Sequence, residues 1–171
     1  VTALIPRNPM RAGLRDAHRL FADLEGAAAA LVQGLRRGDR LRAERGLEKA
    51  RALQPLVDDW RSSLESGLAI ARISPFLRRQ RSEIERHERV RQSIDLAIRN
   101  LRVIGRRAVY LCDDGAPRPV AADVLSDILR GAAEIDGSLD DISLAPAARS
   151  ALLAVAARLD PAPPMQPFPP A

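Results

Sequence analysis

The sequence predicts an all-α protein, a mostly antiparallel bundle of about five helices with one long central helix. Three observations carry that prediction. Apolar residues make up 46% of the 171-residue chain and aromatics only 3%, so a core has to be built from closely packed Ala, Leu, Ile and Val. Such residues, together with abundant Arg and Glu, favour helices. Apolar positions recur at alternating spacings of three and four, whereas strand-like alternation of β-branched residues is absent. Finally, after Pro75 no Pro or Gly interrupts the chain until Gly105. The length suits one domain with a real core.

Residues 1–9 read as a lead-in segment, because Pro6 and Pro9 prevent an early helix. A first helix then follows from the seam Met10, Leu14, Ala17, Phe21, Leu24, Ala28, Leu31 and Leu35. Arg36, Arg37 and Gly38 close it, with cations beside the negative helix end and then the residue that most easily leaves a helix. Asp39 is placed to cap a second helix, whose seam runs Ala43, Leu47, Ala50, Leu53, Val57, Trp60, Leu64, Leu68 and Ala71. Pro55 lies within this stripe, so a kink or short break is expected near Leu53–Pro55, with Gln54 as a cap.

Ser74 and Pro75 are start signals for the central helix, expected to run to about Asp114 and to reach roughly 60 Å at 1.5 Å per residue. Its far half has an apolar face that includes Ile94, Ile98, Leu101, Ile104, Ala108 and Cys112; its near half is charged nearly all round. Gly115-Ala116-Pro117-Arg118-Pro119 is a linker. Val120, Val124, Ile128, Ala132, Ile135, Leu139 and Ile142 define a fourth amphipathic segment. Pro146 opens a last helix with Leu152, Val155 and Leu159 facing inward. The single bundle domain thus covers residues 10–159, and residues 160–171 form a Pro-rich, extended tail. No run reaches the 18 or so apolar residues that span a bilayer.

Charge is unevenly spread. The net charge is +5, and Lys49 is the only lysine. From Pro75 to Cys112 ten arginines face four acids, a net of +6; from Asp113 to Asp141 eight acids face two arginines, a net of −6. Antiparallel packing of these two segments would neutralise both, and such pairs would help choose which helix lies beside which. Arg7, Arg11, Arg15 and Arg19, four apart, wind slowly along one face, and Arg78, Arg79 and Arg81 make a second cluster. Both rows suit a solvated surface; the sharper reading is a face that meets anionic lipid headgroups. Nucleic acid is a weaker fit, since helix-turn-helix spacing and stacking aromatics are lacking.

No catalytic constellation, cofactor motif or metal spacing is found, and the chain reads as non-enzymatic. Cys112 precedes Asp113 and Asp114 at a helix C-terminus, where charge and dipole favour the neutral thiol, so it reads as structural. A single cysteine forms no internal disulfide, which suits a reducing compartment. His18 and His87 lie on charged stretches and read as surface residues. The small residues of Ala27–Ala30, near Gly26 and Gly34, read as an exposed seam for close helix contact within or between chains.

Four stretches have a more specific character: Leu4-Ile5-Pro6-Arg7-Asn8-Pro9, Arg51-Ala52-Leu53-Gln54-Pro55-Leu56-Val57-Asp58, Ala71-Arg72-Ile73-Ser74-Pro75 and Asp95-Leu96-Ala97-Ile98-Arg99-Asn100-Leu101-Arg102-Val103. In that order the sequence resembles the soluble region of actinobacterial FUSC-family membrane proteins, the fusaric-acid-resistance and aromatic-acid-exporter group. The resemblance covers roughly Leu4 to Val109. It implies a domain at the cytoplasmic face of the plasma membrane, preceded by a membrane bundle of the same polypeptide. Its implied role is that of a non-catalytic accessory or oligomerisation part of an exporter, with anionic headgroups and a homo-oligomer as partners. No substrate-contacting residue carries over to this chain. The alternatives are a regulatory domain that senses an aromatic acid through an arginine, and a module that binds anionic lipid or nucleic acid.

Overall fold

The computed structural model describes residues 9–73 and 78–159, without the side chains of 9, 10, 73, 78 and 79. The lead-in segment, the Ser74–Pro75 start signal and the Pro-rich tail therefore lie outside the described residues. Within them the chain is all-α: α1 (Pro9–Arg37), α2 (Arg40–Arg51), α3 (Gln54–Ile73), α4 (Arg78–Leu111), α5 (Pro119–Asp140), a single 3-10 turn (Ile142–Leu144) and α6 (Ala145–Leu159). The longest is α4, at 34 residues, about 51 Å at 1.5 Å per residue.

The helix that most of the others pack on is α1, which touches α2, α3, α4 and α5. Its predicted seam is buried from Ala17 to Leu35, but so are Leu20, Ala27 and Val32, which lie outside that seam. A face this broad lets one amphipathic helix pack against several neighbours at once. Phe21 meets Trp60 of α3 edge to face, with ring centroids 6.4 Å apart, a favoured geometry for aromatic pairs. The small residues of α1 are spent inside the molecule: a methyl at Gly34 would lie 2.8 Å from the Ala43 backbone nitrogen of α2. Ala27 and Ala28 are buried as well. The expected exposed seam is therefore the α1–α2 contact.

Between α1 and α2, Gly38 takes a φ of 64°, and the Asp39 amide donates to the Gly34 carbonyl at 2.9 Å. Asp39 caps α2 as expected, accepting from the Arg42 amide at 3.0 Å. The break before Pro55 is present, with Ala52 and Leu53 between α2 and α3. Gln54, however, is the first residue of α3 rather than a cap. Its side chain accepts from Arg102 at 3.0 Å and so ties α3 to α4. The α2–α3 seam is buried at Ala43, Leu47, Ala50, Leu53, Val57, Trp60, Leu64 and Ala71.

The second half of the molecule departs from the sequence reading. No ion pair found among the described residues joins α4 to α5. The acids of α5 go elsewhere: Asp123 to Arg36 of α1 at 3.0 Å, Asp136 and Asp140 to His18 of α1 at 2.7 and 3.1 Å, and Asp127 to Arg158 of α6. The physical reason is that α5 packs on α1 and α6, so those are the cations within reach. Of the predicted α5 seam only Leu139 is buried; Val120 is 78% exposed and Ile142 60% exposed. In α6, Val155 is buried while Leu159 is 48% exposed.

The linker is pinned by a hydrogen bond from the Arg118 amide to the Leu35 carbonyl at 2.6 Å. That brings Gly115 directly against Gly38, so a methyl group at Gly38 would collide with the Gly115 carbonyl. Gly115 has a φ of 72° but open space around it. A left-handed φ costs an L-residue about 1–2 kcal/mol, and 1 kcal/mol lowers Tm by about 2–4 °C for a chain of this size. Gly115→Ala is expected to lower Tm by about that amount, and Gly38→Ala by at least twice as much in the same thermal melt.

Candidate functional site

Three arginines of the predicted basic row stand together. Arg11, Arg15 and Arg19 are exposed, and no acidic partner is found for them among the described residues. Steps of four residues turn about 40° each, so the three stay on one side of α1 while Gly13, Ala17 and Leu20 are buried on the other. Arg7 lies outside the described residues, as do the side chains of Arg78 and Arg79. Arg81 is in the first turn of α4 and is paired with Glu85 at 2.9 Å, which takes up its charge locally.

The basic row and the first half of α4 lie at the same end of the bundle. His18 of α1 is bonded to Asp136 and Asp140, near the end of α5. Arg86 of α4 donates to the Ser138 and Leu139 carbonyls of the same helix end, at 3.0 and 3.3 Å. A cation on terminal carbonyls also suits the negative end of the helix dipole.

His87 departs from its sequence reading as a surface residue: it is 1% exposed. It shares one face of α4 with Arg91 and Asp95, spaced by four, and all three are buried. Arg91 is held by two hydrogen bonds to Glu88, at 2.8 and 2.6 Å, and Asp95 by Arg99 at 2.7 Å. Arginine tolerates such burial because its fork matches a carboxylate. Burial, and then the charge of Arg86, push the His87 pKa down. Cys112 is buried, and burial raises its thiol pKa, in line with a structural cysteine.

The feature that sequence reasoning missed is an apolar trench between α4 and α5. The two helices flank α1 but hardly meet, apart from the reach of Arg86. The predicted α5 seam faces this trench: Val124, Ile128, Ala132 and Ile135 line it, the last two also packing against the edge of the core. The deepest part is a cavity of about 300 Å³ over Leu24 and Ala28 of α1, with Asn100 its one polar lining residue. It opens at one end to a groove of about 590 Å³ at Pro117–Val120, and at the other to one of about 800 Å³ under α6. The sequence signal was the heptad spacing of two helices at once, which identifies apolar faces but not what covers them. Ile142–Leu159 also corrects the sequence reading of membrane length. By length and composition this stretch is apolar enough to cross a membrane, with a mean hydropathy of 1.4 and 11% of it buried. In this fold it docks on α5 through Ala148 and Val155.

No family model and no solved structure matches this chain. Over 118 residues, 67% of the chain, it is 32% identical to an uncharacterized protein of Corynebacterium glutamicum. The match takes in 29% of that longer relative.

The two histidines should respond oppositely to pH. Burial lowers the His18 pKa, but the hydrogen bonds and charges of Asp136 and Asp140 outweigh that and raise it overall. Its stabilising effect is complete below the ordinary value near 6.5 and is lost as pH rises through the raised folded value. The depressed His87 acts in reverse, costing stability as pH falls below its ordinary value. His18→Gln is therefore expected to lower Tm at mildly acidic pH and to leave it nearly unchanged at alkaline pH. An identical pH profile for variant and wild type would remove the role given to the Asp136–His18–Asp140 tie.

Proposed function

We propose that this chain is the helical accessory module of a longer, FUSC-type membrane exporter, resting with its basic end against the anionic inner leaflet. The observation that carries this reading is the row Arg11, Arg15 and Arg19 on the first helix, exposed and with no acidic partner found among the described residues. Other arginines of the bundle find a carboxylate, among them Arg81, Arg91, Arg99 and Arg118. Three left unpaired in line are suited to an external anionic surface, and positive charge beside a membrane exit suits the cytoplasmic side. The resemblance of the lead-in Pro6-Arg7-Asn8-Pro9 to the junction after the last membrane helix supports the same orientation.

In this reading the module works by contact rather than by chemistry. A bundle clamped on α1 is a stiff body, and a stiff body on the leaflet can brace or assemble the membrane helices joined to it. The broad α1 core and the many intrahelical ion pairs suit that load-bearing role; no side chain is assigned a catalytic step.

Each arginine near an anionic leaflet contributes about 1 kcal/mol, so three contribute about a hundredfold in affinity. Co-sedimentation with phosphatidylserine-containing vesicles should show binding at low salt that weakens as salt rises. The triple substitution Arg11→Gln, Arg15→Gln, Arg19→Gln should lose about that factor. Equal binding to neutral and anionic vesicles, or an unaffected triple variant, would contradict the membrane-facing orientation.

A further inference from the structure

The trench between α4 and α5 has two unlike parts. Its inner stretch is hydrocarbon apart from Asn100: Leu101 and Ile104 from α4, Leu129 and Ala132 from α5, with Leu24 and Ala28 beneath. Water gains nothing from a cavity with so few polar partners, whereas an alkyl chain there removes apolar surface from water on both sides. The other part is the groove under α6, where Arg89 of α4 and Arg149 of α6 both line the opening, with Ser93 beside them. Both arginines are exposed, and no carboxylate partner is found for either among the described residues. Neighbouring arginines differ: Arg99 is bound to Asp95, and Arg102 to Gln54 and the Ala50 carbonyl. The two parts are continuous, because Ile94, Ile135 and Leu152 line both.

We propose that this trench is the binding site of a single-chain anionic amphiphile, a long-chain carboxylate taken up from solution. Its carboxylate lies between Arg89 and Arg149, and its chain runs past Ile94 and Leu101 toward Ile104. The dimensions suit this occupant. From Arg89 to Ile104 the α4 wall measures about 22 Å at 1.5 Å per residue, against about 15 Å for the hydrocarbon of one bilayer leaflet. A single aromatic acid would leave most of that wall uncovered. Two cations from different helices at one end of a hydrocarbon slot match one anionic head on one chain.

The site is independent of the leaflet reading given above, which rests on Arg11, Arg15 and Arg19. Displacement of a dansylated undecanoate by unlabelled carboxylates tests it on the whole chain. Hexadecanoate should displace the probe with one-to-one stoichiometry, and affinity should rise with chain length from octanoate upward, by at most about fourfold per methylene. Benzoate should not compete, and hexadecanol should bind at least tenfold more weakly than hexadecanoate. The pair Arg89→Gln and Arg149→Gln, both on the surface, should weaken hexadecanoate at least tenfold without a change in Tm, and Ala132→Trp should fill the slot and abolish binding. Substituting Arg11, Arg15 and Arg19 should leave hexadecanoate binding unchanged while removing vesicle binding. The proposal is overturned if hexadecanoate does not displace the probe, or if Arg89→Gln with Arg149→Gln binds as wild type does. It is equally overturned if Ala132→Trp instead breaks a dimer, or if only phospholipid vesicles, and no free carboxylate, protect the trench.

Discussion

The burial of one broad face of α1 against four other helices is the constraint from which the rest of the arrangement follows. Leu20, Ala27 and Leu31 are wholly enclosed, and four helices lean on this one rod. Close approach at Gly34 and Gly46 fixes α2 on one side, the Phe21–Trp60 contact fixes α3, and the His18 and Arg36 ion pairs hold α5. Once α4 and α5 are each bound to α1, neither needs the other, and a gap between them costs less than distorting the contacts already made. Close-packed interiors deform in discrete steps rather than smoothly, so the gap persists as a trench.

Charge acts on this frame as a selector of neighbours rather than as a glue. Exposed pairs such as Arg36–Asp123 contribute roughly 0–1 kcal/mol each, too little to override the packing of α1. They finish what apolar contact begins, which is why the acids of α5 answer to His18, Arg36 and Arg158 and not to the larger store of arginines on α4. Positive charge on α4 either pairs with an acid of its own helix, as with Arg91 and Glu88, or is left facing outward. The molecule is consequently basic in specific places: along Arg11–Arg19 and beside the mouth of the trench at Arg89 and Arg149.

The first half of the fold was legible in the sequence because there apolar period and burial coincide. The seams of α1 and of α2–α3, the cap at Asp39, the stop at Gly38 and the break at Ala52–Leu53 all follow from local residue chemistry. The second half was not, because period locates an apolar face without saying what lies against it. Val124, Ile128 and Ala132 have the spacing of core residues and line a trench. The Ala27–Gly34 run has the look of a close helix contact, within or between chains, and serves α2 within the chain. His87 reads as a surface residue by polarity alone; its common spacing with Arg91 and Asp95 is the available sign of a buried polar stripe. Of the candidate site, the basic row on α1 was legible, while the placing of Arg89 and Arg149 on one groove depends on how α6 folds back on α5, which no local pattern encodes.

Native-state hydrogen exchange resolved by residue tests most directly the claim that α1 clamps α4 and α5, which do not clamp each other. Amides from Leu20 to Leu35 are expected to exchange only through global unfolding, the α5 and α4 walls at intermediate free energies, and α6 fastest of all, since it rests on α5 alone. Protection of α6 and of the Val120–Ile135 wall equal to that of α1 would mean that α4, α5 and α6 form one closed unit, and it would contradict both the clamp and the open trench.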